Sequence, residues 1–113
     1  MGVVAFPGKS LEGRALPRVR VVMPCMLSWP GSDVIARTRD LSYSGIALVL
    51  PDDTRLKIQI EEKAHIRISN RITLEVVTVH SRRESARLVA GFKVITIERG
   101  AEQWKALIDT VGQ

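Results

Sequence analysis

An aspartate, a serine two residues on and a glycine three further stand in the stretch Arg39-Asp40-Leu41-Ser42-Tyr43-Ser44-Gly45-Ile46. Asp and Ser fold loops through side-chain-to-backbone hydrogen bonds, and Gly permits positive φ or the close approach of another group. An Asp-x-Ser-x-x-Gly loop can therefore present side-chain acceptors and backbone N–H donors together; the alternative is an ordinary β-turn that contains these residues. The pattern is expected only about 0.03 times by chance in a chain of this composition, so its presence carries information. Upstream, Arg14 and Arg18 form an Arg-x-x-x-Arg pair. That spacing is expected about once by chance, and Arg67/Arg71 and Arg83/Arg87 repeat it, so position must single out the first pair. Two forked guanidinium groups suit phosphates and the O6/N7 edge of guanine. Asp40 can accept from the guanine N1–H and amino group or orient an arginine, while Ser42 and the backbone near Gly45 can meet the remaining polar edges.

Other chemistry finds less support. Cys25 lies in an apolar run, where a structural thiol is expected rather than a thiolate nucleophile. His65 and His80 are the two histidines, and neither has carboxylate neighbours in sequence that would make a metal set. Asp52-Asp53 and Glu61-Glu62 fall at predicted turns and read as solvated loop charge. The chain contains neither a Walker loop nor Gly-x-Gly-x-x-Gly, so no catalytic residue and no cofactor site is assigned.

Several elements must position these groups. Residues 1–17, with Gly2, Pro7, Gly8, Gly13 and Pro17, read as a flexible basic arm that can order when a ligand arrives, and residues 18–113 as one folded unit. Strands are expected over residues 18–29, 33–39, 45–50, 64–69, 72–80 and 88–97. Pro24 points to an edge or bulged strand, and Leu56, Ile58 and Ile60 suggest a short further edge strand. Pro51 to Thr54 is a turn cluster, and Ser81 to Ser85 a charged loop. Trp104, Leu107, Ile108 and Val111 recur at helical spacing, with Trp104 expected in the core. The resulting fold class is all-β with a terminal helix: a small six-stranded antiparallel barrel capped by a C-terminal α-helix. A hairpin around Pro30-Gly31-Ser32 that pairs Trp29 with Asp33 sets Arg18 across from Ser44, beside the motif loop. A bulge near Pro24 would shift this by one or two residues without separating the motifs. The other two Arg-x-x-x-Arg pairs read as solvated strand and loop charge.

Composition bounds the rest. The chain has 113 residues, 45% hydrophobic and 26% charged, which fits one ordinary folded domain rather than a disordered chain. Seventeen basic residues against twelve acidic ones leave a net charge of +5. Twelve of the basic residues are arginine, which favours forked recognition of anions and leaves nucleic acid, acidic membrane and small anionic ligands all open. Only five aromatics are present, without a predicted exposed series for base stacking, so nucleic acid is disfavoured. The longest apolar run is far short of the ~20 residues that span a bilayer, so direct membrane insertion is not expected. One cysteine excludes an internal disulfide and fits a reducing compartment.

Through Arg14-x-x-x-Arg18 and Asp40-x-Ser42-x-x-Gly45, in this order, the chain resembles the PilZ domain family of bacterial cyclic di-GMP receptors. Residues 18–50 and the strand Ala90-Gly91-Phe92-Lys93-Val94 are similar to the PilZ domain at the C-terminal end of bacterial cellulose synthase catalytic subunits. The resemblance implies a six-stranded PilZ barrel with a C-terminal helix. It implies that Arg14 and Arg18 grip phosphates and stack on or hydrogen-bond guanines, while Asp40, Ser42 and Gly45 hold the guanine end. Tyr43 would then flank the ligand or face solvent, and Ser44 would lie beside it. Family members often carry Arg or another bulky residue before the arginine pair, a position linked to ligand stoichiometry; here it is Gly13, which leaves one or two ligand molecules open. The implied role is a cytoplasmic, non-enzymatic sensor that signals to a neighbouring catalytic or membrane domain, including the cytoplasmic face of the inner membrane. Its alternatives are a non-sensing PilZ-like interaction module and a basic nucleic-acid-binding barrel.

Overall fold

Every second residue of Lys63–Ile68 is apolar, and in the computed structural model Ala64, Ile66 and Ile68 are buried while Lys63, His65 and Arg67 are exposed. The structure describes residues 18–51 and 58–111. The predicted arm over residues 1–17, with Gly13 and Arg14, lies outside the described residues, as do Asp52, Asp53, Thr54 and Leu56 of the predicted turn and edge strand. In chain order the elements are β1 (Val19–Arg20), β2 (Pro24–Trp29), β3 (Ser32–Ser42), β4 (Gly45–Pro51), β5 (Lys63–Ile68), β6 (Ile72–Glu84), β7 (Arg87–Arg99) and α1 (Ala101–Val111). Antiparallel pairing runs β3-β2-β5-β6-β7-β4 and returns from β4 to β3, so six strands form a closed ring; β1 adds to β3 beside β2. The six-stranded antiparallel barrel with its C-terminal helix is thus observed, with one extra strand.

The predicted strand over residues 18–29 is broken. Pro24 has no N–H for a ladder, and the chain leaves its partner between Val21 and Met23. Thr38, 1% exposed, bridges the gap. Its N–H donates to the Met23 carbonyl, its hydroxyl accepts from the Met23 N–H and donates to the Val21 carbonyl, at 2.9, 2.9 and 2.5 Å. β2 is not an edge strand, for it pairs with β3 and β5; Pro24 is tolerated as its first residue, ahead of the β5 ladder that begins at Cys25. The hairpin register also differs by one from expectation. Trp29 faces Ser32 because the turn has two residues, Pro30 and Gly31, with Gly31 at φ +85° as a type II turn needs. After the break the register slips once more, to Arg20 opposite Asp40 and Val19 opposite Leu41, so Arg18 lies beside Ser42 rather than Ser44.

Two further expectations are corrected. Residues 81–84 continue β6 instead of forming a loop, and only Ser85 and Ala86 turn. Their charges need solvent and not a loop: Arg82 donates to Glu84 at 2.7 and 2.5 Å on the same strand. Ile58 and Gln59 are coil and Ile60 a turn residue, so no strand forms there among the described residues. The Glu61 N–H donates to the Thr78 carbonyl and ties this turn to β6. Three register shifts leave Val79, Ile95 and Glu98 unpaired in the β6–β7 ladder, the irregularity that bends long strands around a small barrel.

The interior is filled by Leu27, Leu41, Ile46, Leu48, Ile66 and Leu74, all 0% exposed. Trp104 and Ile108 close one end from α1, as the helical spacing predicts. Gly100, at φ +82°, turns the chain from β7 into the helix, and its carbonyl accepts from the Trp104 N–H at 2.8 Å. Cys25 belongs to the same core, and burial pushes its thiol up to about 11. The native fold therefore holds the neutral thiol, and this contribution to stability falls as pH rises from the ordinary value of 9.0 toward about 11. The expected result is no reaction of Cys25 with an aromatic disulfide at pH 8 in the native protein and one thiol per chain in guanidinium; rapid native labelling would contradict this placement.

Candidate ligand-binding site

Asp-x-Ser-x-x-Gly closes the β3–β4 hairpin. Ser42 pairs with Gly45, and Tyr43 and Ser44 form the two-residue turn between them. A bulge between Thr38 and Asp40 resets the alternation just before the motif. Leu41 enters the core, while Asp40 remains partly exposed and Ser42 is 3% exposed.

Arg18 reaches this hairpin from the residue before β1. Its Nε and Nη2 both donate to Asp40 Oδ1, at 2.8 and 2.5 Å, so one carboxylate oxygen orients the guanidinium. Half of the Arg18 side chain stays in solvent (51% exposed, against 22% for Asp40), which leaves it accessible to a ligand. A Cβ on Gly45 would lie 3.4 Å from Ser42 Oγ and 3.6 Å from Arg18 Nη1. Gly45 is not at positive φ and a Cβ alone would make ordinary contacts there, but a longer side chain would fill the space between the Ser42 hydroxyl and the Arg18 guanidinium. Arg18, Asp40, Ser42 and Gly45 come together in one corner; Arg14 lies outside the described residues.

The two turn residues do something the sequence alone leaves open. The Tyr43 hydroxyl donates to Asp109 of α1, and its carbonyl accepts from the Trp104 indole N–H at 3.3 Å. The hydrogen bond to Asp109 comes first among the causes that raise the Tyr43 hydroxyl's pKa. The Ser44 carbonyl accepts from the Val94 N–H of β7 at 2.9 Å. The motif turn is thus held from α1 and from β7. An aromatic inside the motif with a Trp in the terminal helix was the available signal, but nothing local in the sequence joins residues so far apart.

The histidines have separate surroundings. His65 Nε2 lies 3.4 Å from Glu98, and the His80 ring covers Gly91, where a Cβ would come within 2.3 Å of it. Among the described residues no three His, Cys, Asp or Glu side chains gather as metal ligands. No described helix is long and apolar enough to cross a membrane.

Comparison with solved structures places this architecture. The chain superposes on the Bacillus subtilis inhibitor of motility MotI/DgrA with TM-score 0.73 and 20% identity, covering 93% of this chain and 54% of that one. It superposes on Escherichia coli YcgR in complex with c-di-GMP with TM-score 0.65 and 13% identity, covering 88% of this chain and 46% of that one. The separate PilZ domain of YcgR with c-di-GMP gives TM-score 0.64 and 12% identity, over 89% of this chain and 92% of that one. The chain spans about half the length of the first two. No curated protein sequence matches. The PilZ domain model matches residues 12–109, nearly the whole chain, and the protein belongs to the PilZ domain family.

Proposed function

We propose that this domain binds cyclic di-GMP at the Arg18–Asp40–Ser42–Gly45 corner and acts as a non-enzymatic regulatory module. The observation that carries the reading is the Arg18 guanidinium, oriented by Asp40 above a glycine and half exposed. A forked, charge-assisted donor of this kind suits a phosphate or the guanine O6/N7 edge. Asp40 would accept from the guanine N1–H and amino group, and Ser42 and the Gly45 backbone would complete the polar contacts. Arg14, from the arm, would supply the second guanidinium. Gly13 before the pair places no bulky side chain against the ligand, which bears on whether one or two molecules bind. Tyr43 and Ser44, held at the turn, would flank the site. The c-di-GMP complexes of the structurally similar YcgR support the ligand's identity.

The finer assignment is control of a cellulose synthase glycosyltransferase in the cytoplasm or on the inner-membrane face. It rests on the likeness of residues 18–50 and 90–94 to that enzyme's PilZ domain. A neighbouring domain or a partner chain would receive the signal. Calorimetric titration of the folded protein with cyclic di-GMP, GTP and a short single-stranded oligonucleotide tests the reading. Saturable binding of cyclic di-GMP alone is expected. Its absence would leave an interaction module that senses no nucleotide, and preference for the oligonucleotide would favour a nucleic-acid barrel.

A further inference from the structure

On the outer wall of the barrel, Arg37 of β3, Val49 of β4 and Val89 of β7 stand directly opposite one another in register, so their side chains share one face. Val89 is 4% exposed and, unlike the neighbouring Leu88, does not join the packed cluster inside the barrel. It lines a groove of about 390 Å³ on the outer wall. Among the described residues, four arginines, Arg20, Arg37, Arg39 and Arg87, line that groove against a single acid, Glu84. Val22, 74% exposed, lies along it as well. A second groove of about 360 Å³ shares Arg37, Val49 and Arg87 with the first and continues along Ile35, Leu50 and Pro51. Ile35 is 68% exposed. One half of this continuous surface is therefore cationic and the other apolar.

Glu84 shows what the cationic half accepts. Both of its carboxylate oxygens lie 3.4 Å from Arg39 Nη1, and Arg82 donates to it at 2.7 Å. These contacts, the Arg82 hydrogen bond foremost, hold its carboxyl below the ordinary range. We infer that the outer wall of β3, β4 and β7 docks an acidic amphipathic segment of a partner protein, its carboxylates on Arg20, Arg37 and Arg87 and its aliphatic side chains along Val49, Ile35 and Pro51. Charge complementarity selects the partner: a second copy of this chain, itself at +5, is a poor occupant. A nucleic-acid strand is disfavoured because, among the described residues, no aromatic lines either groove. The inference does not depend on the nucleotide assigned to the Arg18 corner.

Fluorescence anisotropy at physiological salt, with a short labelled peptide that alternates glutamate and leucine, tests it. The full chain should bind this peptide. Replacing the glutamates by glutamine, or the leucines by serine, should weaken binding, each by about tenfold. The combined change Arg37→Gln and Arg87→Gln should weaken it by about tenfold or more, while Arg67→Gln on β5 should leave it within about twofold, with thermal unfolding to verify each fold. No binding by the native chain overturns the inference. Equal binding of the serine peptide or of an oligonucleotide of equal charge also overturns it, as would an Arg67→Gln loss as large as the groove variants'. Cyclic di-GMP titration of the same samples reads the Arg18 corner separately.

Discussion

Arg18→Ala is expected to weaken cyclic di-GMP binding by about one-hundredfold or more while barely moving the melting temperature. The two effects separate because Arg18 does different things in the two states. In the free protein it is half exposed and paired to Asp40 through one oxygen, and surface pairs of this kind contribute about 0–1 kcal/mol. In the complex it would give two charge-assisted hydrogen bonds or a stacked guanidinium, and a hydrogen bond to a charged group is worth about 1.5–3 kcal/mol. Removal also strands the Asp40 carboxylate beside an anionic ligand. About 3 kcal/mol corresponds to roughly a hundredfold in Kd. Arg18→Lys keeps the charge without the fork, and should fall between Arg18→Ala and the parent. Arg67→Ala, on the exposed face of β5, should stay within about twofold of the parent. Calorimetry on all three, with thermal melts, checks the ordering. Equal losses at Arg18 and Arg67 would mean that diffuse positive charge attracts the ligand.

Gly100→Ala should produce the largest loss of stability, about 3 kcal/mol, with a melting temperature lower by about 10–15 °C. An alanine at φ +82° is strained by about 1–2 kcal/mol for that conformation alone. Its Cβ would also come within 2.0 Å of the Arg71 carbonyl oxygen, a backbone atom that moves only if the start of β6 moves. Relief requires α1 to swing away from the barrel, which withdraws Trp104 and Ile108, 1% and 2% exposed, from the core. Truncating a buried tryptophan costs about 3–5 kcal/mol, so this escape is no cheaper. Because Trp104 and Asp109 hold Tyr43, the motif turn should loosen with the helix, and hydrogen exchange at residues 42–45 should rise in the variant. A shift in melting temperature below about 3 °C would contradict this account of the β7–α1 junction.

What could be read from the chain follows from how local each cause is. Ala64, Ile66 and Ile68, and Trp104 with Ile108, carry their own periodicity, so the strand and the helix face were legible. Asp40, Ser42 and Gly45 lie within six residues, and chain geometry keeps them together. Arg18 was legible through the hairpin that folds it back, although the two-residue Pro30-Gly31 turn and the break at Val21 to Met23 moved its partner from Ser44 to Ser42. The break itself depends on Thr38, whose side chain serves backbone groups more than a dozen residues away. The tip of the β6–β7 hairpin was hidden because an exposed charged strand and a charged loop have the same composition. The Tyr43 contacts and the arginine-lined groove arise only when β3, β4 and β7 are joined around the barrel and the helix is laid against it, so no window of sequence contains them.

Closure of the ring also bears on how the domain behaves when crowded among copies of itself. Strand edges with open N–H and C=O groups are the usual template for aggregation, and closing the ladder into a ring removes most of them. Among the described strands, Val79 to Glu84 of β6 and Ile95 to Arg99 of β7 pair on one side only, and so does β1. β1 is two residues long, and one of them is Arg20, a charge at the place where an intruding strand would have to pair. The edges these strands leave open are short or carry charge, at Arg20 of β1, Arg82 and Arg83 of β6 and Glu98 and Arg99 of β7, so backbone-templated association between copies has few places to start along them.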